Sequence, residues 1–180
     1  MKSPFILGAL ALAAFAIPVA RHHSSATTQQ PALTDANIVA IFDAANTADI
    51  ETSELAAKKG ATKDVKDMGT QFAHDHRAVR QQGRDLAKKL GVTPVLPADD
   101  KGAEAHRAVM ADLNSKTGAA FDKAYVDHEV AFHQAVLDAV TKTLLPAIQN
   151  AELKAFVTKV GPAFQGHLVH AQNVQKKIEK

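Results

Sequence analysis

Glu51, His76, His133 and His167 stand at positions where a helical protein is expected to carry apolar side chains. Each interrupts a run of apolar residues spaced three and four apart. An acid and three imidazoles directed inward must find each other, a backbone group, water or a metal ion, because an unpartnered polar group is costly to bury. Asp75, Glu54, Tyr125, Glu129, His128 and His170 lie close enough along the chain to complete such a set. Imidazoles with one or two carboxylates suit a single Zn, Cu or Fe ion. The di-metal chemistry of ferritins asks for Glu-x-x-His pairs, and the chain has none. The competing reading is a structural polar cluster, in which Asp75 or Glu51 accepts from imidazole N–H groups and water fills the rest.

The elements that must position these residues follow from apolar spacing. Thr34 is the expected cap of a first helix reaching about Lys59, with Gly60 as a left-handed stop, and Thr62 caps a second that ends before Gly91. A short helix from about Lys101 to Leu113 is followed by a break at Thr117 and Gly118. The third long helix runs from about Ala119 to Leu145 and stops at Pro146. Asn150 caps the fourth, in which Pro162 predicts a kink or irregularity.

Ile41, Ala44, Ala48, Glu51 and Leu55 make the first stripe; Val65, Gly69, Phe72, His76, Val79, Gly83, Leu86 and Leu90 make the second. Val126, Val130, His133, Leu137, Val140 and Leu144 make the third. Leu153, Phe156, Val160, Phe164, His167, Ala171, Val174 and Ile178 make the fourth. Burying four such faces together gives an all-α four-helix bundle. Counted from the helix ends, Glu51 and His76 differ in depth by roughly 7 to 8 Å, and His133 and His167 show a similar offset, so one shared site needs these offsets to close.

Residues 1–26 read as a signal peptide, with cleavage after Ala16, Ala20 or Ala26, residues 27–34 as a polar tether, and residues 35–180 as the domain. The expected location is the periplasm or the outer membrane. Cleavage after Ala20 would expose Arg21-His22-His23, a square-planar Cu(II) chelate. Loss of Lys2 and Arg21 lowers the basic count from 21 to 19 against 19 acids, so nothing recommends nucleic acid or an anionic membrane as a partner. The absence of cysteine excludes disulfides and thiolate sites. Nucleophile elbows and phosphate-binding glycine loops are lacking as well.

The segments "DIETSELAAKKG", "VKDMGTQFAHDH", "FDKAYVDHEVAFHQAV" and "LKAFVTKVGPAFQGHLVHA", in that order, resemble the exported bacterial family known as domain of unknown function 4142. The resemblance spans roughly Asp35 to Lys176. It implies a ferritin-like bundle, marks Glu51, Asp75, His76, His133 and His167 as the site residues, and brings no established activity. A ferritin-like fold would also explain the long stretch between Leu90 and Gly118, as a crossover carrying a short extra helix. Three functions fit: metal-dependent redox chemistry with Tyr125 as hydrogen-bond or radical partner, a metal carrier, and a non-enzymatic stress or interaction protein of the envelope.

Overall fold

The computed structural model describes residues 32–179. The expected signal peptide, residues 27–31 of the tether and the His22-His23 chelate lie outside them. Among the described residues there is no strand. The long helices are α1 (Asp35–Lys59), α2 (Lys63–Leu90), α4 (Gly118–Ala139) and α5 (Ala151–Ile178), and the short α3 (Gly102–Ser115) rides in the crossover between α2 and α4. This is the all-α four-helix bundle with one long crossover that the stripes and the resemblance predict. No described helix is long and apolar enough to cross a membrane.

Caps hold the helices where the sequence places them. Thr34 and Asn37 form a capping box on α1, the Thr62 hydroxyl accepts from Val65 N–H on α2, and Asn150 accepts from Glu152 and Leu153 N–H on α5. Gly91 closes α2 in the left-handed region, at φ 67°. Gly60 does not close α1 that way; its φ is −50°. Glycine is needed there for space, since a Cβ would lie 2.8 Å from Ala56 O and 2.9 Å from Val65 Cγ1.

The end of α4 also departs from expectation. Val140–Leu144 form a π-helical turn, in which Leu145 N–H reaches Val140 O, and Leu145–Ala147 add one further turn. Pro146 has no N–H to donate and its ring crowds the preceding turn, so the ladder shifts register before it ends. Pro162, by contrast, lies within α5 without interrupting it.

α1 packs along α2 and α4 along α5, giving two hairpins that carboxylates tie together at opposite ends. Buried Asp122 of α4 accepts from Ala61 N–H, Thr62 N–H and the Thr62 hydroxyl in the α1–α2 turn at 2.7, 2.8 and 2.8 Å. Asp35 of α1 accepts from Gln149 and Asn150 N–H before α5, both at 2.9 Å. One apolar cluster, including Val65, Met68, Phe72, Phe121, Val126 and Val174, fills one part of the interior. A second, including Ile38, Val39, Val140, Leu144, Leu153 and Val157, fills another, while Phe42, Val160 and Phe164 form a third.

The stripe expected on α1 is not its inward face. Ile41, Ala44 and Ala48 instead line a cleft of about 500 Å³ bounded also by Val109 of α3 and Phe132 of α4. The residues α1 buries include Ile38, Phe42, Asn46, Asp49, Thr52, Ser53 and Ala56, so four of its buried positions are polar.

Candidate metal centre

Asn46, Asp49 and Ser53 meet His76, Tyr125, Glu129, His133 and His167 in the interior, each of them at most 6% exposed. Spacings of three and four put the α1 trio on one face, and the same spacing brings Tyr125, Glu129 and His133 onto one face of α4. Aromatic rings hold the imidazoles in place. Phe164 stacks on His76 at 5.4 Å and 10°, and Phe72 stacks on His167 at 4.1 Å and 18°.

The outer nitrogen of each imidazole has an acceptor, and the acceptor assigns the tautomer. His76 Nδ1–H donates to Asn46 Oδ1 at 2.9 Å, the Asn46 amide being oriented by its Nδ2–H bond to Phe42 O at 2.8 Å. His133 Nδ1–H donates to the Glu129 carbonyl at 3.0 Å. His167 Nε2–H donates to Asp75 Oδ2 at 3.1 Å. The remaining nitrogens, His76 Nε2, His133 Nε2 and His167 Nδ1, therefore all carry lone pairs, and they face one another.

From His76 Nε2 the distances are 3.4 Å to His133 Nε2, 3.2 Å to His167 Nδ1 and 3.4 Å to Asp49 Oδ2. Asp49 Oδ2 is 3.7 Å from His133 Nε2 and has no hydrogen-bond partner. A tetrahedral ion with bonds of about 2.0–2.1 Å has ligand–ligand edges of about 3.3–3.4 Å. The three edges from His76 match that figure, and the Asp49–His133 edge is slightly open.

Burial favours the neutral form of each of these groups. His76 is pushed down to about 2 by burial and then by the two neighbouring imidazoles. Burial also lowers His133, against the pull of the Asp49 charge, and His167, against its bond to Asp75. Glu129 is pushed up to about 8 by burial, and Asp49 is raised by burial and then by the Glu129 charge. Thr52 Oγ1 lies 3.2 Å from Glu129 Oε1, whereas Glu129 Oε2 has no hydrogen-bond partner and lies 3.4 Å from His133 Nδ1. A hydroxyl chain leads away from Asp49: Ser53 donates to Asp49 Oδ1 at 3.1 Å and lies 3.0 Å from the Tyr125 hydroxyl.

Of the residues expected at the site, His76, His133 and His167 converge, and Asp75 orients His167 from the rim. Glu51 does not join them. It is exposed and accepts from His106 Nε2 at 2.7 Å, pinning α3 to α1. Its expected place is taken by Asp49, two positions earlier and about 200° round the helix. Among the other polar candidates, Glu54 pairs with Arg77, and His170 is half-buried with its ring edge-on to Phe72. His128, pushed down to about 4 by burial and by His106 and His133, packs on Phe132. Two overlapping ligand sets thus stand out among the described residues, His76–His133–His167 and Asp49–Glu129–His133.

A protein-family model described as domain of unknown function (DUF4142) matches residues 20–174. No curated protein and no solved structure matches the chain.

Proposed function

The chain belongs to the DUF4142 family, and on the chemistry of its interior we propose that it is a metal-binding protein, holding one divalent transition-metal ion between Asp49, His76, His133 and His167. Three inward lone pairs beside a buried carboxylate oxygen without a hydrogen-bond partner carry the reading, because one cation between them would satisfy all four atoms at once. Charge supports a divalent ion. With neutral imidazoles, two positive charges balance Asp49 and Glu129 when both are ionised. Three nitrogens and one oxygen, with four of their mutual separations at 3.2–3.7 Å, favour zinc, with Co(II) as its spectroscopic substitute.

Asn46, the Glu129 carbonyl and Asp75 would orient the ligands, and the ion would supply Lewis acidity and cross-linking. Four protein ligands leave no open position, which favours holding or carrying the ion over turnover. The reading includes export, on the strength of the opening residues, so the ion is taken up in the cell envelope.

Elemental analysis of protein purified from its native compartment should find about one ion per chain, and His76→Ala or His133→Ala should remove it. Metal-free protein whose melting is unchanged by zinc, copper or iron would leave a purely structural polar cluster in its place.

A further inference from the structure

His167 differs from the other three proposed ligands. It is 6% exposed, against 3% for His76 and 1% for Asp49 and His133. Its orienting group differs too: Asn46 and Glu129 hold their imidazoles from inside, whereas the Asp75 side chain is 39% exposed.

The turns of α5 that lead to His167 read Gly161-Pro162-Ala163-Phe164-Gln165-Gly166. Neither glycine is required by packing, since a Cβ at either would meet nothing within 4 Å, and neither has positive φ. This contrasts with Gly69, where a Cβ would come within 2.6 Å of Ser53 O. A glycine in mid-helix is weaker than alanine, and Pro162 leaves the carbonyl one turn back without its N–H donor. Three helix-weakening residues in six therefore directly precede one ligand.

We infer that α5 hinges over Gly161–Gly166 and that His167 is the releasable ligand, so that the ion exchanges with solvent through the seam between α2 and α5, beside Asp75. The inference rests on the metal reading above and adds that the ion is transferable cargo. When His167 swings out, Asp49, His76 and His133 retain the ion, and a nitrogen or oxygen donor of an incoming chelator takes the vacated position. Asp75 and half-buried His170, whose ring lies edge-on to Phe72 at 5.6 Å, stand at the mouth to meet it.

The test uses the full chain loaded with Co(II) and mixed with excess EDTA, following loss of the cobalt absorption. Gly161→Ala with Gly166→Ala, which open space accommodates, should slow release about five- to thirty-fold by stiffening the helix. Asp75→Asn, which weakens the hold on His167, should speed it about ten-fold or more. Release should depend only slightly on sub-denaturing urea, because a local opening exposes little surface. Unchanged release in the double alanine variant overturns the hinge, as does release that tracks global unfolding with its full urea dependence. A chain that takes up no cobalt overturns the metal reading first, and the hinge with it.

Discussion

In the metal-free protein His76, with its pKa pushed down to about 2, and Glu129, pushed up to about 8, pull the pH dependence of folding in opposite directions. The unfolded chain binds more protons than the fold at His76 between pH 2 and 6.5, and fewer at Glu129 between pH 4.5 and 8. Stability from His76 is thus complete above pH 6.5 and lost as pH falls; stability from Glu129 is complete below pH 4.5 and lost as pH rises. His133 and His167 add to the first slope and Asp49 to the second. Above pH 6.5 the imidazole slope is spent and the carboxyl slope remains. Urea denaturation in EDTA should therefore show stability falling between pH 6.5 and 8, by about 2 kcal/mol from Glu129. Glu129→Gln should remove that share and ease Asp49. An equal fall in both proteins would place the slope elsewhere. At this scale the three histidines and Asp75 were legible in the sequence, because an imidazole amid apolar spacing stands out. Asp49 was not, because its face of α1 carries Asn46 and Ser53 as well and so lacks apolar periodicity. A trace of it was present: Phe42, Asn46, Asp49, Ser53 and Ala56 follow steps of three and four, a polar centre with apolar ends.

Among the elements, α1 and α2 approach closely where Gly69 faces Ser53 and Ala57. A Cβ there would lie 2.6 Å from Ser53 O and 2.8 Å from Ala57 N, and backbone cannot yield as a side-chain tip can. Gly69→Ala should destabilise the fold by about 1–3 kcal/mol. Gly166→Ala, in open space, should stabilise it by about 0.5–1 kcal/mol. Thermal melts of the two variants decide this, and shifts of the same sign would contradict it. The opposite signs could not be read from sequence, where both are glycines inside helical patterns. Helix starts were readable because Thr34, Thr62 and Asn150 cap through their own side chains. The π-turn before Pro146 was not, since proline says that a ladder must fail without saying which register replaces it.

At the scale of the molecule, Asp49, His76, His133 and His167 come from α1, α2, α4 and α5, one from each long helix. The bundle was legible because three of its four stripes bury much as their spacing implies. The crossover's course along α1, held by Asn37 Nδ2–H to Val95 O at 2.8 Å, was not, since such contacts are neither periodic nor local. An ion bound by all four helices binds the folded chain and not the unfolded one, and it joins two hairpins otherwise held by apolar contacts and a few carboxylate ties. Zinc at a thousand times its Kd should add about 4 kcal/mol to stability. For a domain of this size that is a rise in Tm of roughly 8–16 °C. Magnesium, which prefers oxygen ligands, should leave Tm unchanged. In His133→Ala, where one helix loses its hold on the ion, most of the zinc response should vanish even if the metal-free Tm also drops. A zinc response of equal size in that variant would put the ion elsewhere on the protein, and the four-helix tie would fail with it.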